Sequence, residues 1–204
     1  AMETGVAQKP VENWDQYKEE LGKRLGITNP LIRLIKGKAR KDPKKVVFAE
    51  AESYKMLKAA EIVINEKIAT PILLGNKEVV RNLIREHELE IPNDIDIIDP
   101  KSDEIREMRH RFANVLWEKR QRKGITLTAA KDMMTHRNYF SPMLVESGYA
   151  DAMVSGLTRN YPDTIRPALQ IIGRKKGASL VSGMYIINTK TGPSFFADCT
   201  VNKN

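Results

Sequence analysis

Residues 150–172 read ADAMVSGLTRNYPDTIRPALQII. The spacing of the apolar residues changes within this stretch from that of a strand to that of a helix, and this change decides the predicted fold. Residues 152–154 form a short apolar run with the length of a buried strand. Pro167 would interrupt a helix interior, so we place it in a first turn, with Asp163 or Thr164 as the cap. Apolar residues at helical spacing predict one apolar face, made of Ile165, Ala168, Leu169 and Ile172. The stretch therefore reads as strand, loop and helix.

Short apolar runs and amphipathic helical segments alternate from residue 46 to residue 172. The runs predicted to be strands are residues 46–49, 71–74, 95–98 and 152–154. Ser141 followed by Pro142 predicts the start of a helix that Gly148 closes. This alternation predicts a three-layer α/β/α fold with a mainly parallel sheet. Near the end of the chain, apolar runs on either side of residues 189–193 predict a hairpin.

The loop after the last of the parallel strands carries the candidate site. Ligands of open parallel sheets bind beyond the carboxyl ends of the strands, and Ser155 and Gly156 lie at such an end. Arg159 and Arg166 suit an anion there, because the N–H groups and the dipole of a helix start also favour negative charge. A solvated turn with two surface arginines is an equally open alternative. Residues 50–53 lie at another strand end and are equally open to being an acidic helix start.

The composition is that of a soluble globular protein. The chain has 204 residues, of which 41% are hydrophobic and 29% charged, as is usual in a soluble globular protein. It has no apolar run of about 18 residues and no apolar signal core near its start, so we expect a cytoplasmic protein without a membrane partner. Cys199 is the only cysteine, so no internal disulfide is expected.

The net charge of +8 includes a basic cluster ahead of the first predicted strand. Its three readings are a nucleic-acid contact, a contact to a polyphosphate-bearing small ligand, and a solvated linker. No recognition-helix signature or zinc spacing accompanies it, so the linker is favoured and no nucleic-acid partner is expected. The cluster consists of Arg33, Lys36, Lys38, Arg40, Lys41, Lys44 and Lys45.

Several catalytic motifs are missing from the sequence. The histidines, His87, His110 and His136, have no acidic or cysteine partner at ligand spacing, so no metal site is expected. There is no Gly-rich dinucleotide or phosphate loop, and Ser155 lacks an evident histidine base. A functional role for Ser155 and Gly156 would therefore be binding through backbone and hydroxyl groups. A Ser-Gly pair that only turns the chain at the strand end is an equally open alternative.

Three segments carry a resemblance to a known family. Residues 150–156 (ADAMVSG), 163–172 (DTIRPALQII) and 177–182 (GASLVS) resemble the phosphate acetyl/butyryl transferases, the phosphotransacetylase family. The resemblance implies transfer of an acetyl group between coenzyme A and phosphate, and dimerisation. It also implies a two-lobed architecture like that of isocitrate and isopropylmalate dehydrogenases, with the active site in the cleft. The first lobe would cover residues 45–172, and an incomplete second lobe residues 173–204.

The same resemblance supplies candidate site residues. Ser155, Gly156 and Arg166 match the family's anion-binding elements, and Arg120 lies in its Arg-x-x-Lys-Gly segment. The remaining candidates for a site that binds acetyl-CoA or phosphate are Thr158, Arg159, Asp163 and Thr164. Residues 157–162 (LTRNYP) depart from the family's small residue and His-Ser-Thr. The resemblance implies that the family's catalytic Ser-Arg and Asp elements lie in the C-terminal part of its pattern, beyond Asn204, so no catalytic residue is assigned.

A narrower resemblance includes the beginning of the chain. Residues 3–7 (ETGVA), residues 14–17 (WDQY) and the loop of residues 156–169 resemble the C-terminal portion of the large bacterial NADP-dependent malic enzymes. There a phosphotransacetylase-like domain follows the catalytic portion, which holds NADP and a Mg or Mn ion. The resemblance implies a non-catalytic domain that senses acetyl-CoA and assembles a homodimer or higher oligomer. An active transferase and a purely structural dimerisation module remain alternatives.

On this reading residues 1–44 are a linker with an N-terminal helical segment. The segment is amphipathic, and own-domain packing is favoured over packing on another subunit. Its apolar residues at helical spacing are Trp14, Tyr17, Leu21 and Leu25.

Overall fold

The structure is a computed structural model that describes residues 13, 14, 17, 30–189 and 192–197. The chain divides into two compact units, each described by itself: Gly37–Val181, and Ala1–Lys36 together with Ser182–Asn204. No helix among the described residues is both long enough and apolar enough to cross a membrane.

The described residues form six strands and seven helices. The strands are β1 (Lys44–Phe48), β2 (Ala69–Leu74), β3 (Ile97–Ile98), β4 (Ala152–Val154), β5 (Met184–Thr189) and β6 (Gly192–Ala197). The helices are α1 (Pro30–Lys41), α2 (Tyr54–Asn65), α3 (Lys77–Glu86), α4 (Arg106–Arg120), α5 (Leu127–Met133), α6 (Arg137–Glu146) and α7 (Tyr161–Ile171).

Strands β1 to β4 form a parallel sheet in the order β3-β2-β1-β4. Successive side chains of a strand point to opposite faces of a sheet. Val47 and Ile72 accordingly pack with buried side chains of α4, α6 and α7 on one face. Phe48 and Leu73 pack with α2 and α3 on the other face. The sheet is covered on both sides, which confirms the predicted α/β fold and its parallel sheet.

The strand order reverses between β1 and β4, which are hydrogen-bonded neighbours. After β1 the chain enters α2 on one face of the sheet, whereas β4 leads into α7 on the opposite face. Such a reversal opens a crevice outside the carboxyl ends of the two strands, where open α/β sheets bind their ligands. The turn after β1 and the loop after β4 both reach this crevice.

Helix α7 begins earlier than its sequence predicts. Asn160 is the N-cap, and Tyr161 and Pro162 open the helix, so Asp163 and Thr164 are not the cap. Pro167 lies inside the helix and is buried. Proline has no N–H to donate to the carbonyl four residues before it. That carbonyl, of Asp163, instead accepts a hydrogen bond from Asn138 Nδ2 at 3.1 Å, which explains how the helix tolerates the proline.

Strand β4 is not the buried strand that its apolar sequence predicts. Val154 is 45% exposed, because β4 lies at the edge of the sheet in the described part of the chain. The predicted apolar face of α7 is also shifted: the buried residue near its end is Ile171, while Ile172 is exposed.

Two helical starts between α4 and β4 differ from the prediction. Helix α6 begins at Arg137 and holds Pro142 in its interior, and Ser141 is buried rather than a cap. His136 precedes this helix without a side-chain capping bond, so no capping signal marks the start. Helix α5 has no counterpart in the sequence prediction, although Thr126 caps it through its side chain.

Residues 30–41, predicted to be part of a linker, form helix α1. Most of the basic cluster therefore lies on a helix, with Pro30 in its first turn, where proline is tolerated. Leu21, Leu25 and Cys199 lie outside the described residues.

In the unit that contains residues 182–204, strands β5 and β6 are antiparallel. Their register runs from Met184 opposite Ala197 to Thr189 opposite Gly192. The predicted hairpin is therefore confirmed, although β5 begins at Met184 rather than near Leu180.

Candidate functional site

The loop after β4 closes around a carboxylate of the chain itself. Glu50, just beyond β1, is 1% exposed. Its Oε1 accepts hydrogen bonds from Ser155 Oγ at 3.0 Å, Gly156 N at 2.7 Å and Leu157 N at 3.2 Å. Its Oε2 accepts one from Thr158 N at 2.5 Å. The donors predicted to bind an external anion are therefore engaged by Glu50.

These donors set the ionisation of the carboxyl. Burial alone would raise the pKa of Glu50, but hydrogen bonds from Gly156, Thr158 and Ser155 outweigh it and hold the pKa below its ordinary value. Glu50 is therefore a carboxylate at neutral pH and a poor general base. Its charge is balanced by three backbone N–H groups and the Ser155 hydroxyl, without a cationic side chain among its described hydrogen-bond partners.

Gly156 gives the loop its shape. Its φ of 108° lies in a region that side-chain-bearing residues rarely adopt. A Cβ at this position would lie 4.0 Å from Thr164 Oγ1, so the constraint on Gly156 is conformational and not a shortage of space. The turned backbone brings successive N–H groups to one point, as in the backbone nests that bind anions.

A cavity of about 620 Å³ opens at this edge of the sheet. Its lining comes from the segments after β1, β2 and β3 and from the starts of α6 and α7. Lys101, Arg159 and Arg166 are exposed in it, and within the described chain their side chains have no hydrogen-bond or ion-pair partner. Three unpaired cations against the single unpaired carboxylate of Asp163 favour a negatively charged ligand at this switch point.

Two of the three acidic side chains of the same cavity, Glu52 and Asp99, are already engaged. Glu52 Oε1 accepts a hydrogen bond from Asn76 N at 2.9 Å, and Glu52 Oε2 lies 3.4 Å from Arg137 Nη1. Asn76 Nδ2 donates to Asp99 Oδ2 at 3.1 Å. Asn76 also caps α3 through its side-chain oxygen. These contacts hold the ends of β1, β2 and β3 together. The carboxylate of Asp163 is exposed in the cavity and has no partner among the described residues, so the unpaired charges are three cations and one carboxylate.

The predicted site residues separate into three groups. Arg159, Asp163 and Arg166 line the cavity. Ser155, Gly156 and Thr158 hold Glu50. Thr164 Oγ1 lies 3.5 Å from the carbonyl of Asn160, within the first turn of α7.

Arg120 is not brought to the cavity. Its Nε donates to Gln170 O at 2.9 Å, and its Nη2 lies 3.4 Å from Leu169 O. Lys119 Nζ donates to Ile171 O at 2.9 Å beside it. Both side chains therefore satisfy carbonyls at the C-terminal end of α7, where helices leave acceptors unpaired.

Sequence reasoning missed part of the lining. His136, Arg137, Asn138 and Tyr139 reach the cavity from the start of α6. They were not candidates because that helix is predicted to begin at Ser141. Among the described residues, no group of three or more His, Cys, Asp or Glu side chains is placed to hold a metal ion.

Comparisons with known proteins assign the chain to a family. The sequence model described as "Phosphate acetyl/butaryl transferase" matches residues 30–204, so the chain belongs to that family. The chain is 39% identical over 196 residues to a phosphate acetyltransferase of Helicobacter pylori, covering 95% of the chain and 36% of that protein. It is 33% identical over 211 residues to an NADP-dependent malic enzyme of Haemophilus influenzae, covering 100% of the chain and 27% of that enzyme.

A solved structure agrees with the fold. The EutD phosphotransacetylase from Staphylococcus aureus superposes with a TM-score of 0.73 at 33% identity, covering 84% of this chain and 51% of that chain. The present chain thus spans about half of a solved relative and smaller shares of the two curated proteins.

Proposed function

We propose that this chain is a phosphotransacetylase-like regulatory and assembly domain of an NADP-dependent malic enzyme, which oxidatively decarboxylates malate to pyruvate, and that it binds acetyl-CoA without transferring its acetyl group. The observation that carries the proposal is the cavity at the β1/β4 switch point, where Arg159 and Arg166 have no partner among the described residues. A guanidinium pairs with phosphate oxygens through a fixed fork of N–H donors. Coenzyme A supplies several such phosphates.

Similarity to a malic enzyme supports the proposal that this chain is part of such an enzyme. The match to the Haemophilus influenzae enzyme covers 100% of the chain, including the residues that precede the matched family region. In such a parent, the NADP and the Mg or Mn ion would belong to the catalytic portion. The present residues would act on it only by binding acetyl-CoA in one state of the enzyme better than in another.

The chemistry around Glu50 supports binding rather than transfer. Ser155 donates its hydroxyl to a carboxylate whose pKa is held low, so Glu50 is a weak base for activating that hydroxyl. No histidine is among the described hydrogen-bond partners of Ser155. Acyl transfer would need a base that this pair does not supply.

An active phosphate acetyltransferase, converting acetyl-CoA and phosphate into acetyl phosphate and coenzyme A, is the alternative. The 39% identity to the Helicobacter pylori enzyme and the superposition with a solved phosphotransacetylase favour it equally. The same arginines would then bind the substrates. A purely structural module that forms a homodimer or higher oligomer is the third candidate, and it requires no ligand.

One experiment separates the three candidates. Acetyl-CoA is titrated into the full-length protein while malate-dependent NADPH formation and phosphate-dependent acetyl phosphate formation are followed in parallel. The sensor predicts binding that changes malate turnover and yields no acetyl phosphate. Acetyl phosphate formation would establish the transferase, and absence of binding, with an oligomer seen by light scattering, would leave the structural module.

A further inference from the structure

Glu50 accepts hydrogen bonds from a cluster of converging backbone N–H groups, an arrangement that in general suits an anion. Successive backbone N–H groups that converge on one point form an anion site. Here the residues from Ser155 to Thr158 present four donors to one carboxylate, which lies 105 positions before Ser155. The chain therefore carries its own occupant for this nest.

The hydrogen bonds to Glu50 hold the loop of residues 155–158 in place. In the described part of the chain, the hydrogen bonds of residues 156–158 all end on Glu50. Arg159 follows Thr158 directly, and Asn160 then caps α7, which carries Arg166. The segment that Glu50 holds therefore leads directly into Arg159 and the first turn of α7.

We propose that Glu50 is a positioning residue of the anion site: it locks the loop of residues 155–158, aims Arg159 and the first turns of α7 into the cavity, and keeps ligand phosphates off the loop amides. The ligand's charge then falls on Arg159 and Arg166. This inference deepens the proposed function, on which the identity of acetyl-CoA as ligand rests.

Only a carboxylate side chain at position 50 can accept all four of these hydrogen bonds. Both oxygens accept, three donors on Oε1 and one on Oε2. A glutamine has only one accepting oxygen. In one orientation its NH2 group would face the N–H of Thr158, and in the other it would face the three donors that now bond Oε1. The replacement would leave N–H groups of the loop unpaired and release the loop.

The test compares Glu50→Gln with Glu61→Gln in the full-length protein. Glu61 is a matched control, since it is also buried and accepts a backbone N–H, that of Glu90 at 2.8 Å, but its described partners do not include the loop of residues 155–158. The first readout is hydrogen exchange of the peptide containing residues 156–158, measured without ligand. The second is acetyl-CoA affinity by calorimetry.

We expect Glu50→Gln to exchange at least about tenfold faster at these amides and to bind acetyl-CoA about tenfold more weakly. Glu61→Gln should match wild type within about twofold in both measurements. Ser155→Ala, which removes one donor and keeps the carboxylate, should give an intermediate exchange rate and serves if Glu50→Gln does not fold.

Unchanged exchange in Glu50→Gln, or in Ser155→Ala where that variant replaces it, would overturn the inference. So would an equal loss of affinity in Glu61→Gln, which would reveal general destabilisation. If wild type does not bind acetyl-CoA, the proposed function fails, and the exchange measurement still decides whether Glu50 holds the loop.

Discussion

Asn138 Nδ2 donates a 3.1 Å hydrogen bond to the main-chain oxygen of Asp163, the acceptor that Pro167 leaves without a helical donor. A side chain at the start of α6 thereby supplies the donor that is missing from the first turns of α7, the helix that carries Arg166. A side chain 25 positions away thus makes an interior proline compatible with the site.

This relationship predicts coupling between the two residues. Asn138→Ala should lower the free energy of unfolding by about 1–3 kcal/mol, because a carbonyl in a packed helix loses its donor. In a Pro167→Ala background the helix regains its own N–H, so the cost of Asn138→Ala should fall by at least about half. Urea unfolding of the four proteins measures the coupling, and strictly additive effects would contradict it.

Arg120 is predicted to act on stability. Its guanidinium satisfies carbonyls at the end of α7, so Arg120→Ala should cost about 1–2 kcal/mol of unfolding free energy. The affinity for acetyl-CoA should change by less than about threefold, because the side chain does not line the cavity. Urea unfolding and calorimetry of the same variant check both parts. Unchanged stability with lost binding would instead support the ligand-binding role implied by the family resemblance.

The dependence of stability on pH follows from two buried carboxylates. The pKa of Glu50 is lowered as described, and that of Glu61 is lowered by the ammonium of Lys58 and by the N–H of Glu90. A carboxyl with a lower pKa in the folded chain stabilises fully above its unfolded pKa, about 4.3, and that stabilisation is lost as pH falls through the folded pKa.

Unfolding temperature should therefore drop as the pH falls from about 5 to 3, and the drop should be shallower in Glu50→Gln and in Glu61→Gln. Glu118→Gln, at an exposed position, serves as the control. Thermal scans across this range measure the slopes. If the unfolding temperature of Glu50→Gln fell with pH as steeply as that of wild type, ionised Glu50 would not be a source of the pH dependence.

The parallel sheet and its order of elements were predictable because each strand is a compact apolar run followed by an amphipathic helix. The hairpin was predictable for a similar local reason, since two apolar runs flank a turn. The start of α6 was not, because His136 gives no capping bond and Pro142 imitates a helix start.

The candidate site was predictable only in part. Arg159 and Arg166 were found from their place after a strand end, and the structure puts both in one cavity. The partner of Ser155 and Gly156 was not found, because Glu50 is more than 100 positions away and its neighbours suit an acidic helix start equally well. For Arg120, a local motif cannot specify that the acceptors lie 50 positions later, on α7.

The measurement that tests the central claim most directly is calorimetric titration of acetyl-CoA into the full-length wild-type protein, Arg166→Ala and Arg122→Ala. Arg122 is a matched control, since it removes the same charge from an exposed position that does not line the cavity. We expect at least about tenfold weaker binding for Arg166→Ala and wild-type affinity within about twofold for Arg122→Ala. Equal affinity in all three proteins would contradict the assignment of the cavity as the acetyl-CoA site.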